Sequence, residues 1–225
     1  MGTVNVQLDR LTVVNKKDEI GKDEAYLWVI GLQVLTPGSD VDGLEFVRAK
    51  NPLPGNLGAG LKRKETRVVP AAIGRFQYPA TPLGKRALFG VVVFAWDHDR
   101  TPNGSIQLAY DRTAATIDQA IRGIIDDRLQ VIRDEGLAAV KPMTPAEATA
   151  IRDAVEAEIR AVFLQSLGAN APWSLNLDDF VGAENAVATV ADATLPFAQS
   201  FTLSLRKRDN IGAHYELSGR LRWTP

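Results

Sequence analysis

Carboxylates are the chemistry-bearing residues of this chain, and they fall in three short stretches. Asp18, Glu19, Asp23 and Glu24 lie in "DEIGKDEAYLWV", Asp97 and Asp99 in "AWDHDR", and Asp178 and Asp179 in "LNLDDFVG". Each stretch adjoins a strong strand signal. In extended chain, residues two apart point the same way, so Asp97 and Asp99 present both carboxylates to one side. If the three loops meet at one end of a sheet fold, five or six acids share a small volume, and there they repel and raise one another's pKa unless a cation neutralises them. The donors are oxygen, with no cysteine and only two histidines. That set favours calcium or magnesium over zinc or copper, and calcium accepts irregular loops and several carboxylates more readily. Calcium is therefore the expected ion. The plainer alternative is that Asp97 and Asp99 accept backbone N–H bonds in a turn, and that Asp178 and Asp179 are solvated or cap a helix.

Other chemistries find less support. His98 stands between two acids and points away from them, so its backbone carbonyl, not its ring, is the expected ligand. His214 opens the last strand and reads as a surface residue. No G-x-S-x-G, phosphate-binding loop, HExxH or dinucleotide fingerprint is present. Paired carboxylates hydrolyse glycosides in some folds, but the cleft aromatics that accompany them are not evident. The chain is expected not to be an enzyme.

The elements that must position these acids differ in hydrophobic period. From Val4 to about Trp96 the pattern is strand-like: "VNVQLDRLTVV" alternates, "AYLWVIGLQVL" is nearly continuous, "EFVRAK" is short and "ALFGVVVFAW" is apolar on both faces. "TPGSDVDG" and "NPLPGNLGAG" are turn chemistry, and the glycines from Asn56 to Gly60 read as a flexible loop. Between about 105 and 168 lie two amphipathic segments. One carries Ile117, Ile121, Ile124, Ile125, Leu129 and Ile132; the other carries Ile151, Val155, Ile159, Val162 and Phe163. The second has Thr144 as N-cap, Pro145 at the first helical position, Glu147 completing a capping box and Gly168 just past the end. Together they predict an antiparallel helical hairpin. Strand patterns then return: "FAQSFTLSLR" puts Phe197, Gln199, Phe201, Leu203 and Leu205 on one side, and "HYELSGRLRW" puts Tyr215, Leu217, Gly219, Leu221 and Trp223 on one face. These two strands read as a closing hairpin. Neither β portion has enough strands to stand alone, so one mostly β, antiparallel sandwich over residues 1–225, interrupted by the helical hairpin, is the expected architecture.

The three acidic stretches resemble those of the C2 family, calcium- and phospholipid-binding β-sandwich modules. "KDEIGKDEAYLWV" is similar to the family's first calcium loop, "AWDHDR" to the Asp-x-Asp-Arg of its third loop, and "DDFVG" to the Asp-Phe-Ile-Gly that ends that loop. The resemblance implies that Asp18 and Asp23 are loop-one ligands, Asp97 and Asp99 the loop-three pair, and Asp179 the last ligand. It departs from the family in three ways. Asp18 and Asp23 stand five apart where six is usual, Glu24-Ala25 replaces Asp-Pro, and residues 100–178 separate the Asp pair from Asp179. The helical insertion would then lie within the third calcium loop, which is tolerable because closure entropy grows slowly with loop length. The resemblance also implies calcium-dependent association with anionic phospholipid. "LKRKETRVV", Leu61 to Val69, echoes the family's lysine-rich strand. Its simpler reading is an edge strand guarded by charge, with Lys62 and Lys64 on one face and Arg63 and Arg67 on the other.

Composition sets the outer bounds. At 225 residues with formal charge −1, the chain can bury a core without staples and lacks the basic balance of a nucleic-acid binder. Cysteine is absent, so disulfides and thiolate chemistry are excluded. "MGTVNVQLDR" has no signal-peptide apolar core, no window is long enough to span a bilayer, and Val6 stands where a myristoylation motif needs Ser or Thr. The expectation is a soluble chain, cytoplasmic or exported without a cleaved signal. The helical hairpin offers apolar stripes to the sheet, to another protein or to a bilayer surface. The alternative function is a bacterial interaction, assembly or toxin-associated protein in which calcium only staples loops; the Ala-, Asp- and Arg-rich composition accords with that source.

Overall fold

The computed structural model describes residues 2–16, 24–37, 44–58, 60–80, 85–99, 101–116, 118–119, 146, 179–190, 197–206 and 212–224. Within them the fold is mostly β and every strand pairing is antiparallel. Alternation dictates the first strand, β1 (Gly2–Asn15), which buries Val4, Val6 and Leu8 and then, out of phase, Leu11 and Val13. The phase change has a local cause. Pairing with the last strand shifts between Leu8 and Arg10, so Asp9 is an extra residue in a bulge and the apolar set returns to the core beyond it.

The remaining strands are β2 (Ala25–Pro37), β3 (Leu44–Arg48), β4 (Thr66–Val68), β5 (Arg75–Ala80), β6 (Lys85–Asp97), β7 (Asp179–Val190), β8 (Phe197–Arg206) and β9 (His214–Thr224). A five-stranded sheet runs β4-β1-β9-β8, with β5 beside β4 on the same edge of β1; the short helix α1 (Ala71–Gly74) connects these two. A four-stranded sheet runs β3-β2-β6-β7. Each sheet draws strands from both sides of residues 100–178.

One apolar core joins the two sheets. Val4, Val6, Leu8, Tyr215, Leu217 and Leu221 of the first belong to the same buried cluster as Leu27, Val29, Phe89, Val91 and Val93 of the second. This arrangement is compatible with a β-sandwich. Gly31 marks a close approach: a Cβ there would stand 2.8 Å from the Phe76 ring, with the Tyr78 hydroxyl nearer still.

The continuous apolar runs of β2 and β6 are explained by burial on both faces. Leu27, Val29, Val91 and Val93 face the shared core, while Tyr26, Trp28, Ile30, Phe94 and Trp96 are buried outside that cluster. That second face is covered in part by a helix, α2, of residues 103–116. It starts behind Pro102, whose carbonyl accepts from Ile106 N at 3.1 Å. Ile106, Ala109, Tyr110, Thr113 and Ala114 are its buried positions, a spacing that lays one stripe on the sheet. Tyr110 meets Trp28 edge-on at 5.5 Å, and Trp28 and Trp96 lie 4.6 Å apart.

Of the expected helical hairpin the structure describes α2, residues 118–119 and residue 146, all helical. Its residues from Ile121 to Ile132, and Thr144, Pro145 and the second stripe from Ile151 through Phe163 to Gly168, lie outside the described residues.

Two local expectations are corrected. Leu61–Val69 is not one strand: Lys62 to Glu65 form a turn with Lys64 at φ 64°, and only Thr66–Val68 pair with β1. The Glu65 carboxylate closes the turn by accepting from Lys62 N at 2.9 Å, a local bond that competes with the ladder. The short strand that follows is an edge strand among the described residues, and of the four basic residues it contains only Arg67. The Asn56–Gly60 region is anchored rather than loose: Asn56 and Leu57 are buried, and Gly58, at φ 89°, lets the Arg67 guanidinium approach.

Candidate metal-binding rim

The site is built from strand ends. β6 stops at Asp97, β2 starts at Ala25 and β7 starts at Asp179, and the register makes these three residues neighbours: Ala25 opposes Asp97, and Asp97 opposes Asp179. Directly opposed residues in antiparallel strands have Cα atoms about 4.5–5.5 Å apart. Two acids separated by 81 intervening sequence positions thus share one row at one end of the four-stranded sheet.

Asp97 is the described centre of this rim. It is 6% exposed, and its Oδ1 accepts from the backbone N–H of Glu24 at 2.9 Å. The ladder continues one step further, where His98 N donates to the Glu24 carbonyl at 3.2 Å. Asp97 therefore ties the entry of β2 to the exit of β6. This is the turn-type role that short acidic residues commonly take, and it fixes the carboxylate's orientation. The imidazole of His98 packs against Tyr26 at 6.3 Å, edge-on, on the aromatic face, as alternation from Asp97 requires. Asp99 is half-buried and Thr101 is buried just beyond.

The other expected ligands divide by position. Asp179 is described through its backbone, in register with Asp97. Asp18 and Asp23 lie outside the described residues, as does Asp178, although Glu24 shows where their loop rejoins the sheet. Among the described residues no group of three or more His, Asp or Glu side chains is disposed to hold a metal ion. Asp97 and Asp99 carry carboxylate oxygens at this end, the donor type that hard cations take.

No family model matches the chain, and no curated protein or solved structure resembles it significantly. Among the described residues no helix is long and apolar enough to cross a membrane.

Two polar arrangements escaped the sequence reading. Asn56 substitutes for a strand: its Oδ1 accepts from Leu27 N at 3.1 Å while its Nδ2 donates to Leu27 O at 2.7 Å and to Asn51 O at 2.9 Å. It extends the edge of β2 where β3 has not begun, since β3 pairs only from Ile30 onward. An N-P-x-P-G-N stretch gives a turn in the sequence but not this partner. Ser204 and His214 also meet, Oγ to Nε2 at 2.9 Å, across the β8–β9 hairpin. Their contact lies on an exposed sheet face, and the hairpin register that creates it was not readable from the turn.

Proposed function

We propose that the chain is a C2-like calcium-binding module, a binding protein rather than an enzyme, which associates with anionic phospholipid when calcium is present. The observation that supports this most directly is the row Ala25, Asp97, Asp179. It brings two of the three acidic stretches to one sheet end and the strand entered from the third to the same end. In this reading Asp97, Asp99 and Asp179 join Asp18 and Asp23 around the ion, and residues 100–178 are an insertion in the third loop. Asp97 is oriented for the task by Glu24 N, since ligating carboxylates are themselves held by outer hydrogen bonds. Calcium neutralises the acids and leaves coordination positions that lipid phosphate oxygens fill.

A thermal melt in calcium and in chelator tests the site. Ligand linkage predicts about 2.7 kcal/mol of added stability at a hundredfold excess over Kd. Melting curves that coincide at millimolar calcium overturn the proposal. Sedimentation with anionic liposomes separates its two halves. A lipid module pellets in calcium and is released by chelator, whereas a chain that gains stability from calcium and ignores liposomes carries calcium only as a loop staple.

A further inference from the structure

The outward side of the five-stranded sheet carries Arg10, Arg75, Arg206, Arg220 and Arg222 and, among the described residues, the acids Asp9 and Glu216, in a chain whose formal charge is −1. Asp9 binds Arg220 at 2.9 Å. Arg10, Arg75 and Arg222 are exposed, and among the described residues no carboxylate pairs with them. Their cross-strand neighbours are neutral: Arg10 lies between Val68 and Ser218, Arg75 beside Gln7, and Arg222 between Asn5 and Ala198. An opposed carboxylate at any of these positions would add about 0.2–1 kcal/mol. The sheet forgoes that at three sites on one face, so stability does not explain the arrangement.

The three groups, with Arg220, spread over one patch. Arg75 and Arg220 flank Gln7 in a single row, two strand spacings or about 9–10 Å apart, and Arg222 lies about 6–7 Å along β9 from Arg220. One small anion does not reach them all; a chain of spaced anions does. Among them stand Asn5, Gln7, Gln77, Ser200 and Ser218, neutral groups that both donate and accept. Gln77 Nε2 donates to Asn5 Oδ1 at 2.9 Å on this side. Phe76, Tyr78, Phe201, Tyr215 and Trp223 are all in the opposite phase, toward the core. The patch also lies away from the acidic rim. Gly182, near Asp179 in β7, approaches Arg206, which opposes His214, and Arg222 stands roughly 26 Å further along β9.

We propose that this arginine face is a docking surface for an acidic polysaccharide, a chain that interleaves anionic groups with hydroxyls. Guanidinium groups take the oxygens of such anions in pairs. The amides and hydroxyls between them match sugar hydroxyls, which likewise donate and accept. Single-stranded nucleic acid fits worse, because its bases stack on rings and the rings of these strands face the other way. A bilayer surface takes apolar side chains as well as basic ones, and Val68 at the sheet edge is the one exposed large hydrophobic on this side among the described residues. The patch and the rim are separate places, so this proposal stands apart from the calcium reading.

Calorimetric titration of the full chain with heparin, a polysaccharide bearing both carboxylate and sulfate, tests it. Binding is expected at low ionic strength, weaker with added salt and equal in calcium and in chelator. Neutral dextran should not bind, and single-stranded poly(dT) and phosphatidylserine vesicles in chelator should bind more weakly than heparin. A chain with Arg10→Gln, Arg75→Gln and Arg222→Gln together should melt like the parent and bind about tenfold more weakly, the worth of three exposed ion pairs. Lys62→Gln, Arg63→Gln and Lys64→Gln together remove the same charge from the turn before β4, and that chain should bind like the parent. In the parent itself heparin should shield Arg10, Arg75 and Arg222 from phenylglyoxal, which reads the contact without any substitution. Absence of heparin binding, equal losses in the two triple variants, binding that requires calcium, tighter capture of poly(dT) or vesicles, or unshielded arginines would each overturn the proposal.

Discussion

Asp97 carries two separable properties, an acceptor and a charge. Asp97→Asn keeps an oxygen for Glu24 N, so the calcium-free chain should lose little stability while the calcium-dependent rise in Tm disappears. Asp97→Ala removes the acceptor and leaves the part-buried Glu24 N–H without it, a loss of about 1 kcal/mol. The pair of melts, each with calcium and with chelator, distinguishes an acid that only joins strands from one that also holds an ion. Equal calcium response in the parent and Asp97→Asn would remove Asp97 from the ligand set. Asn56 makes a sharper structural case because it satisfies both backbone groups of Leu27. Asn56→Ala should cost about 2–6 kcal/mol, the sum of two buried orphaned groups, seen as a lower urea midpoint at unchanged slope. Nothing in the local sequence distinguishes this asparagine from any other turn residue, since its partner lies 29 positions away in β2.

Elements were legible where one physical cause wrote the pattern. β1, β8 and β9 bury one face and alternate; β2 and β6 bury two and run continuously apolar. β7 escaped notice as a strand because its inward residues include Gly182 and Ala186, too small to signal alternation, and because the irregularity beside Trp96 breaks its period. The basic stretch before β4 looked extended because charge periodicity does not reveal the Glu65 bond that bends it. The aromatic layer between the four-stranded sheet and α2 was visible as rings but not as a layer. Its test belongs to the element as a whole. Trp28 packs at a tilt against Trp96, meets Tyr110 and donates to the Pro52 carbonyl at 2.9 Å. Trp28→Ala should cost about 3–5 kcal/mol and strip much of the near-ultraviolet circular dichroism, with faster amide exchange in α2. A variant that destabilises while α2 keeps its protection would show that the helix does not depend on this contact.

At the scale of the whole molecule the decisive feature is how far apart the paired strands lie in the chain. β1 finds its long partner β9 at the opposite end of the sequence, with Thr3 opposite Thr224 and Val13 opposite Tyr215. β6 likewise takes β7 across the acidic rim, with Asp97 opposite Asp179. That Asp97 and Asp179 share a row is not legible in the sequence, because register is a tertiary property that local periodicity does not encode. The same long reach predicts how the chain behaves when divided. A fragment ending at residue 99 keeps β1 to β6 but lacks β9 and β8 beside β1 and β7 beside β6. It therefore exposes the long edges of both sheets together with the core residues that Tyr215, Leu217 and Leu221 cover. Such a fragment should show little cooperative unfolding and should aggregate, while adding the complementary fragment should restore a cooperative melt. Loop closure over so many residues precedes the contacts that repay it, so refolding of the intact chain should be slow for its size, in milliseconds to seconds or longer. A fragment of residues 1–99 that melted cooperatively alone would mean that β1 to β6 form a self-sufficient unit and that β7, β8 and β9 dock on it afterwards.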